Sequence, residues 1–190
     1  MEFRKATIED APIIKDFLFQ AMEDLVYYMI GKVDQLEGKM FFQKMVELPM
    51  SQYSYNNCFV IENNQKVIAA LNIYDGKDLT ILRKPVLDYL QTHYNRTIHP
   101  EDETQAGEFY IDTFGVDTSV QGKGIGTALL KYVIEYYVKD RGETIGLLVD
   151  LDNPNAKRLY EKLGFITIGR QTLMGHTLEH MQMSATKKEA

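Results

Sequence analysis

Three glycines at alternate positions, Gly122, Gly124 and Gly126, stand between an apolar segment and a run of helical periodicity. Without Cβ atoms, such a stretch of backbone lets a large anion approach the main chain closely. The first amides of the following helix have no intrahelical partner, and the helix dipole is positive there. Together these features describe a site for phosphate groups. The spacing limits which phosphates. A P-loop requires Gly-x-x-x-x-Gly-Lys-Ser/Thr, whereas Lys123 is followed by Gly124. The dinucleotide fingerprint requires Gly-x-Gly-x-x-Gly after a first strand, and these glycines are evenly spaced and past the middle of the chain. A tight strand-to-helix turn without a ligand is the second reading of the glycines alone.

Some thirty residues on, Asn153-Pro154-Asn155-Ala156 opens a short helical pattern that reaches Tyr160 and closes at Gly164-Phe165. Asn153 suits a helix cap, Pro154 the first turn, and Gly164 the C-terminal end. Ala156 and Tyr160 stand four apart and share a face, so a small residue leaves room for a ligand beside the tyrosine. Asn153 as a cap only, and Tyr160 as a packed aromatic only, are the alternatives.

Gln121-Gly122-Lys123-Gly124-Ile125-Gly126-Thr127-Ala128 resembles the Gln/Arg-x-x-Gly-x-Gly/Ala signature of the GNAT superfamily of N-acetyltransferases, and Asn153 to Phe165 resembles its Asn-x-x-Ala-x-x-Leu-Tyr-x-x-x-Gly-Phe segment. The resemblance covers about 108–184, while the first 75 residues match only in element order. It implies that Gln121, Gly122, Lys123, Gly124, Ile125, Gly126 and Thr127 hold the pyrophosphate of acetyl-CoA through backbone amides. Lys123 reads equally as a phosphate-side charge or a solvated loop lysine. The resemblance further implies that backbone groups of Phe114 and Val116 face the pantetheine arm, and that Asn153, Ala156 and Tyr160 complete the cofactor side. Gly115 fits a bulge that turns one amide toward the thioester oxygen. Tyr160 would protonate the departing thiolate.

In such an enzyme a primary amine, of a small molecule or a protein, attacks the thioester directly. No protein nucleophile is needed, and Cys58, the sole cysteine, lies outside the motifs. The attacking ammonium must lose a proton. Glu108 and Asp112 are the candidate bases, since strand alternation puts 108, 112 and 116 on one side unless a bulge intervenes. Burial at the water-poor end of a cleft would raise a carboxylate pKa toward the working range. A non-catalytic acyl-CoA sensor of the same fold is the alternative function. Asp112 and Tyr160 favour the enzyme. No metal is expected: His176-Thr-Leu-Glu-His180 spells an inverted zinc-protease pattern but stands in a strand context. Family members are often homodimers.

The elements that must position these residues follow from periodicity. A strand at 2–6 precedes a helix that starts near Thr7 and ends at Gly31. A second helix spans about 38–48, before Pro49. Strands 58–62 and 66–73 flank Asn63-Asn64-Gln65, a hairpin signature. The connection 75–107 carries a helix at about 84–94 started by Pro85, and is the expected seat of substrate specificity. Strand 109–116, helix 124–138, apolar strand 145–149, helix 155–163 and the hairpin 165–173/177–183 complete a mixed, mostly antiparallel twisted sheet of about seven strands with helices on both faces. This is an α/β (α+β) fold in one domain, 1–184, followed by a polar tail, 185–190. The chain has 190 residues with 45% hydrophobic content and a net charge of −6. That balance can fill a core and argues against nucleic-acid binding, which needs a basic footprint. The start of the sequence lacks a basic-then-apolar signal pattern and no run is long enough to span a membrane, so a cytoplasmic location is expected.

Overall fold

The computed structural model describes residues 1–185; most of the tail expected at 185–190 therefore lies outside the described residues. Strands β1 (Glu2–Lys5), β2 (Cys58–Asn63), β3 (Lys66–Asp75), β4 (Phe109–Val116), β5 (Ile145–Asp150), β6 (Ile166–Leu173) and β7 (His176–Met183) form one sheet of order β1-β2-β3-β4-β5-β7-β6. Only β4 and β5 run parallel to one another; every other neighbouring pair is antiparallel. Helices α1 (Ala11–Ile30), α2 (Gln35–Glu47) and α3 (Leu79–Tyr94) share one core with Val60 and Ala70. Helices α4 (Ile125–Ile134) and α5 (Pro154–Leu163) pack with Ile61, Leu71 and Ile111 in the other. Alternation along the buried central strands supplies both cores from the same residues' neighbours. No described helix is long and apolar enough to cross a membrane.

Boundaries differ from the sequence reading where side chains compete with the simple stop signals. α2 starts at Gln35 because the Asp34 side chain accepts from the Glu37 N–H at 3.0 Å, a cap that the apolar pattern did not reveal. α3 starts six residues before Pro85, which lies inside it. The proline deprives the Ile81 carbonyl of its helical donor, and Ile81 is exposed, so water can replace the bond. α4 gives way at Glu135 to a wider π-turn, Glu135–Lys139, that carries the helix to the expected end. Both hairpin turns use left-handed backbone, at Asn64 and Gln65 and at Met174 and Gly175, as the short loops require.

Candidate active site

β4 and β5 pair only from Phe109 to Ile111 against Ile145 to Leu147. Beyond that point β4 stays on β3 as far as Val116, and β5 stays on β7 as far as Asp150. The two parallel strands therefore diverge, leaving a gap with unpaired backbone on both sides. Asp117 N–H donates to the Ile68 carbonyl at 2.9 Å. In an antiparallel pair such residues alternate, so Gly115 and Thr113 also turn their backbone groups to β3. Phe114 and Val116 turn theirs into the gap. The Val116 carbonyl accepts from Gln121 Nε2 at 3.2 Å; the other three groups remain available to an extended ligand.

The divergence coincides with a break in register. Asn72 pairs with Thr113 and Ile73 with Ile111, which leaves Asp112 without a partner on β3. The bulge is thus at Asp112 and not, as expected, at Gly115. Gly115 has a different cause: a Cβ there would lie 2.3 Å from the Phe17 carbonyl oxygen, so α1 can cross β4 only above a glycine. An extra residue reverses the facing of all that follow. Asp112 and Val116 therefore lie on opposite sides of the sheet, contrary to simple alternation. Phe114 and Val116 pack with the α4 core, and Asp112 borders a cavity on the other side.

On the α4 side, Gly122 and Gly124 hold φ of +74° and +79°. A Cβ at either would find no protein atom within 4 Å. The left-handed backbone needs glycine, and the space above it is open. α4 begins at Ile125. The first helical bond recorded there runs from Ala128 N–H to the Gly124 carbonyl. Among the described residues no acceptor makes a hydrogen bond of normal geometry to the N–H of Gly122, Lys123, Gly124, Ile125, Gly126 or Thr127. Five of these six residues, all but Lys123, edge a cavity of about 380 Å³ bounded by Phe114, Val116 and Leu159. Two side chains of this loop turn inward to hold it: Gln121 to Val116, and Lys123 Nζ to the Ser119 carbonyl at 3.1 Å. Free donors at a helix start, with no side chain over them, fit a diphosphate. The Lys123 ammonium, tied to Ser119, serves the loop itself.

Asn153 caps α5 by accepting from Ala156 N–H at 3.1 Å. Ala156 and Tyr160 face the α4 core. Tyr160 packs edge-on against Phe165 with ring centres 5.9 Å apart. Its hydroxyl has no hydrogen-bond partner among the described residues and is not among the sealed polar atoms, so it reaches open space. Burial of the ring pushes its pKa up to about 12, and it keeps its proton at neutral pH.

The two candidate bases part company. Glu108 is 3% exposed. His180 Nε2 lies 2.8 Å from its Oε2, Gln182 Nε2 donates to the same oxygen at 2.8 Å, and Thr104 Oγ1 donates to Oε1 at 2.7 Å. Burial alone would raise its pKa, but these three partners hold it below the ordinary value. Three partners and a lowered pKa make this carboxylate a weaker base than Asp112, and Glu108 borders neither cavity. The expectation that it acts as a base is corrected: it ties β4 to β7, and so secures the paired end of the two diverging strands.

Asp112 is the reverse. It borders a cavity of about 980 Å³ opposite the glycine loop, together with Thr113 of β4 and Leu148 and Asp150 of β5. Gln52 Nε2 donates to its Oδ2 at 2.8 Å and Tyr74 hydroxyl contacts the same oxygen at 3.1 Å. Both donors also reach Glu103. Burial, and then the adjacent Glu103 carboxylate, push the Asp112 carboxyl up to about 7 against the pull of Gln52 and Tyr74. Two carboxylates that share donors cannot both ionise freely. Arg83 pairs with the other carboxylate oxygen of Glu103.

Gln52, Tyr74, Arg83 and Glu103 were not singled out from the sequence. Gln52 is held at three points: its N–H donates to the Leu82 carbonyl at 2.8 Å, its own carbonyl accepts from Asn72 Nδ2 at 3.2 Å, and its amide joins the two acids. Tyr53, its neighbour, is buried and lines the cavity, while Cys58 is a sealed thiol pushed up to about 12 by burial. His176 and His180 do not converge: one lies 3.3 Å from Asp150, the other binds Glu108.

The family model described as the acetyltransferase (GNAT) family matches residues 35–165. A mycothiol acetyltransferase of Rhodococcus erythropolis is 39% identical over 75 residues, which cover 38% of this chain and 24% of that protein. The N-alpha-acetyltransferase RimI of Mycobacterium tuberculosis is 39% identical over 62 residues, covering 33% of this chain and 37% of that one. The chain thus spans about a quarter to a third of the length of these relatives. A crystal structure of an acetyltransferase superposes with a TM-score of 0.80 and 28% identity, covering 98% of this chain and 100% of that one.

Proposed function

Because this chain belongs to the GNAT family of acetyltransferases and is an acyltransferase, we propose that it moves the acetyl group of acetyl-CoA to a primary amine in a ternary complex. The observation that carries this reading is a run of loop amides without acceptors on one side of a single strand gap and the buried Asp112 carboxylate, pushed up toward neutral pH, on the other. The amides of 122–127 receive the pyrophosphate, with the space above Gly122 and Gly124 admitting it. Backbone groups of Phe114 and Val116 bond the extended arm. The backbone N–H of Asp112, the residue without a partner on β3, is a better placed donor for the thioester oxygen than that of Gly115, which faces β3.

The acceptor arrives as an ammonium. Asp112, near pKa 7, takes one of its protons at neutral pH, so the nitrogen lone pair attacks the acetyl carbon and the carbon–sulfur bond breaks. Tyr160, protonated throughout the neutral range, donates a hydrogen bond to the departing sulfur. Asp112 passes that first proton to solvent and then takes the second amine proton, while the departing sulfur takes the phenol proton of Tyr160, which solvent restores. The named relatives differ in acceptor, one being named for mycothiol and the other for N-alpha-acetylation, so family membership leaves the amine open. The test is thiol release from acetyl-CoA with a panel of primary amines, beside calorimetry with acetyl-CoA alone. Amine-dependent release is the expected result. Acetyl-CoA binding without it would leave only a sensor, and absence of binding would remove the cofactor assignment.

A further inference from the structure

We propose that the acceptor carries a second positive charge apart from the amine that is acetylated, as a linear diamine or polyamine does, with one nitrogen at Asp112 and the next at the carboxylates nearer the mouth of the cavity. This rests on the acetyltransferase reading above and concerns the cavity of about 980 Å³ that Asp112 borders. That volume stands at the upper end of small-molecule sites, roughly 300–1,000 Å³, and leaves room well beyond one amino group.

Six carboxylates border this cavity: Asp112 of β4, Glu101 and Glu103 of the segment before it, Asp150 of β5, and Glu23 and Asp24 of α1. The basic groups in the same lining are one guanidinium, that of Arg83, and the imidazoles of His99 and His176. Arg83 pairs with Glu103, and His176 lies 3.3 Å from Asp150, an ion pair only when the imidazole is protonated. Among the described residues Glu23, Asp24, Glu101 and Asp112 form no ion pair. The Tyr27 hydroxyl and the Met174 N–H that donate to Glu23 and Glu101 are neutral and leave the charge in place. A concave space lined by one sign of charge concentrates its field and draws in the opposite sign. An acceptor with a single ammonium, spent at Asp112, leaves the other acids uncompensated.

The acids run from the floor outward. Glu103, which shares donors with Asp112, is 7% exposed; Glu23 and Asp150 are half-buried, and Asp24 and Glu101 are exposed. Met22 breaks the helical geometry of α1 with φ −127° and ψ 18°, and every residue from Gln20 to Leu25 borders the cavity. A straight amphipathic helix turns one face to such a space; the break sets both Glu23 and Asp24 along it although they are neighbours in sequence. Met22, Leu25, Leu87 and Leu178 share the lining with the acids. A chain of methylenes between charged nitrogens matches that mixture, since apolar side chains cover its carbons while each ammonium finds a carboxylate.

The experiment compares kcat/KM for hexylamine, cadaverine and spermidine by thiol release, using the whole chain and acetyl-CoA. Cadaverine differs from hexylamine in ending on an ammonium in place of a methyl group, so the pair isolates the second charge. The better of cadaverine and spermidine should exceed hexylamine by at least about tenfold, and added salt should narrow the gap. The double variant Glu23→Gln, Asp24→Asn should lower kcat/KM for that amine by about tenfold and leave both the hexylamine rate and acetyl-CoA affinity unchanged; Glu101→Gln makes the same test if the double variant misfolds. A smaller advantage over hexylamine, thiol release with none of the three amines, or full activity in these variants overturns the assignment. If acetyl-CoA binds in calorimetry while this occurs, only the acceptor class falls. If acetyl-CoA does not bind, the acetyltransferase reading falls with it.

Discussion

Replacing Asp112 by Asn keeps the size and the acceptor oxygen that Gln52 and Tyr74 address, and removes only the ability to carry charge and take a proton. Two consequences follow. A positioned general base contributes about 10²- to 10⁴-fold, so kcat/KM should fall within that range, and the acidic limb near pH 7 should vanish from its pH profile. The second consequence concerns stability. Native Asp112 titrates near 7 against an ordinary value of 3.8, so between those pH values the folded chain holds a proton that the unfolded chain has lost. Wild-type stability therefore declines as pH rises from about 4 to about 7 and levels off above, by up to about 4 kcal/mol at roughly 1.4 kcal/mol per pH unit. The Asn variant lacks this decline and gains on the wild type over the same window. Urea unfolding at pH 5 and pH 8, with initial rates across pH 5.5–9, measures both. An unchanged acidic limb in the variant would refute the base assignment. Parallel stability curves would refute the claim that the ionised carboxylate is held at a cost beside Glu103.

Tyr160→Phe removes one donor to the departing sulfur and should lower kcat by about 10- to 100-fold with acetyl-CoA affinity retained; thiol release and calorimetry decide it. Gly124→Val places a side chain where φ is +79° and over open amides; acetyl-CoA should bind at least about tenfold more weakly, with a backbone penalty of about 1–2 kcal/mol visible in unfolding. Gly115→Ala drives a methyl into the Phe17 carbonyl, and should cost about 1–3 kcal/mol of stability in a thermal melt, without touching the glycine loop.

The donor side of the site was readable because its requirements are written in backbone terms. Glycines that must adopt positive φ, a capping Asn153, and a small Ala156 four places before Tyr160 each leave a local mark in sequence. The acceptor side was not. Gln52, Tyr74, Arg83 and Glu103 are far apart in the chain and ordinary in type; what distinguishes them is that folding buries them around one another. The bulge was expected three residues too late because a glycine in a strand suggests one. Here the glycine answers to a crossing helix, while the extra residue is an aspartate whose side chain gives no such hint. Glu108 and Asp112 looked alike as candidate bases, and only their partners, three donors against a like charge, separate them.

The odd residue in β4 also governs traffic. Because side chains before it and after it address opposite surfaces of one sheet, the proposed reaction has nucleotide and amine come in by separate doors and meet only within the wedge between strands. Neither visitor blocks the other's way, so neither need leave before the other enters. Initial-rate lines for such a protein intersect. Removing one residue from the strand at that point would turn both doors onto the same side.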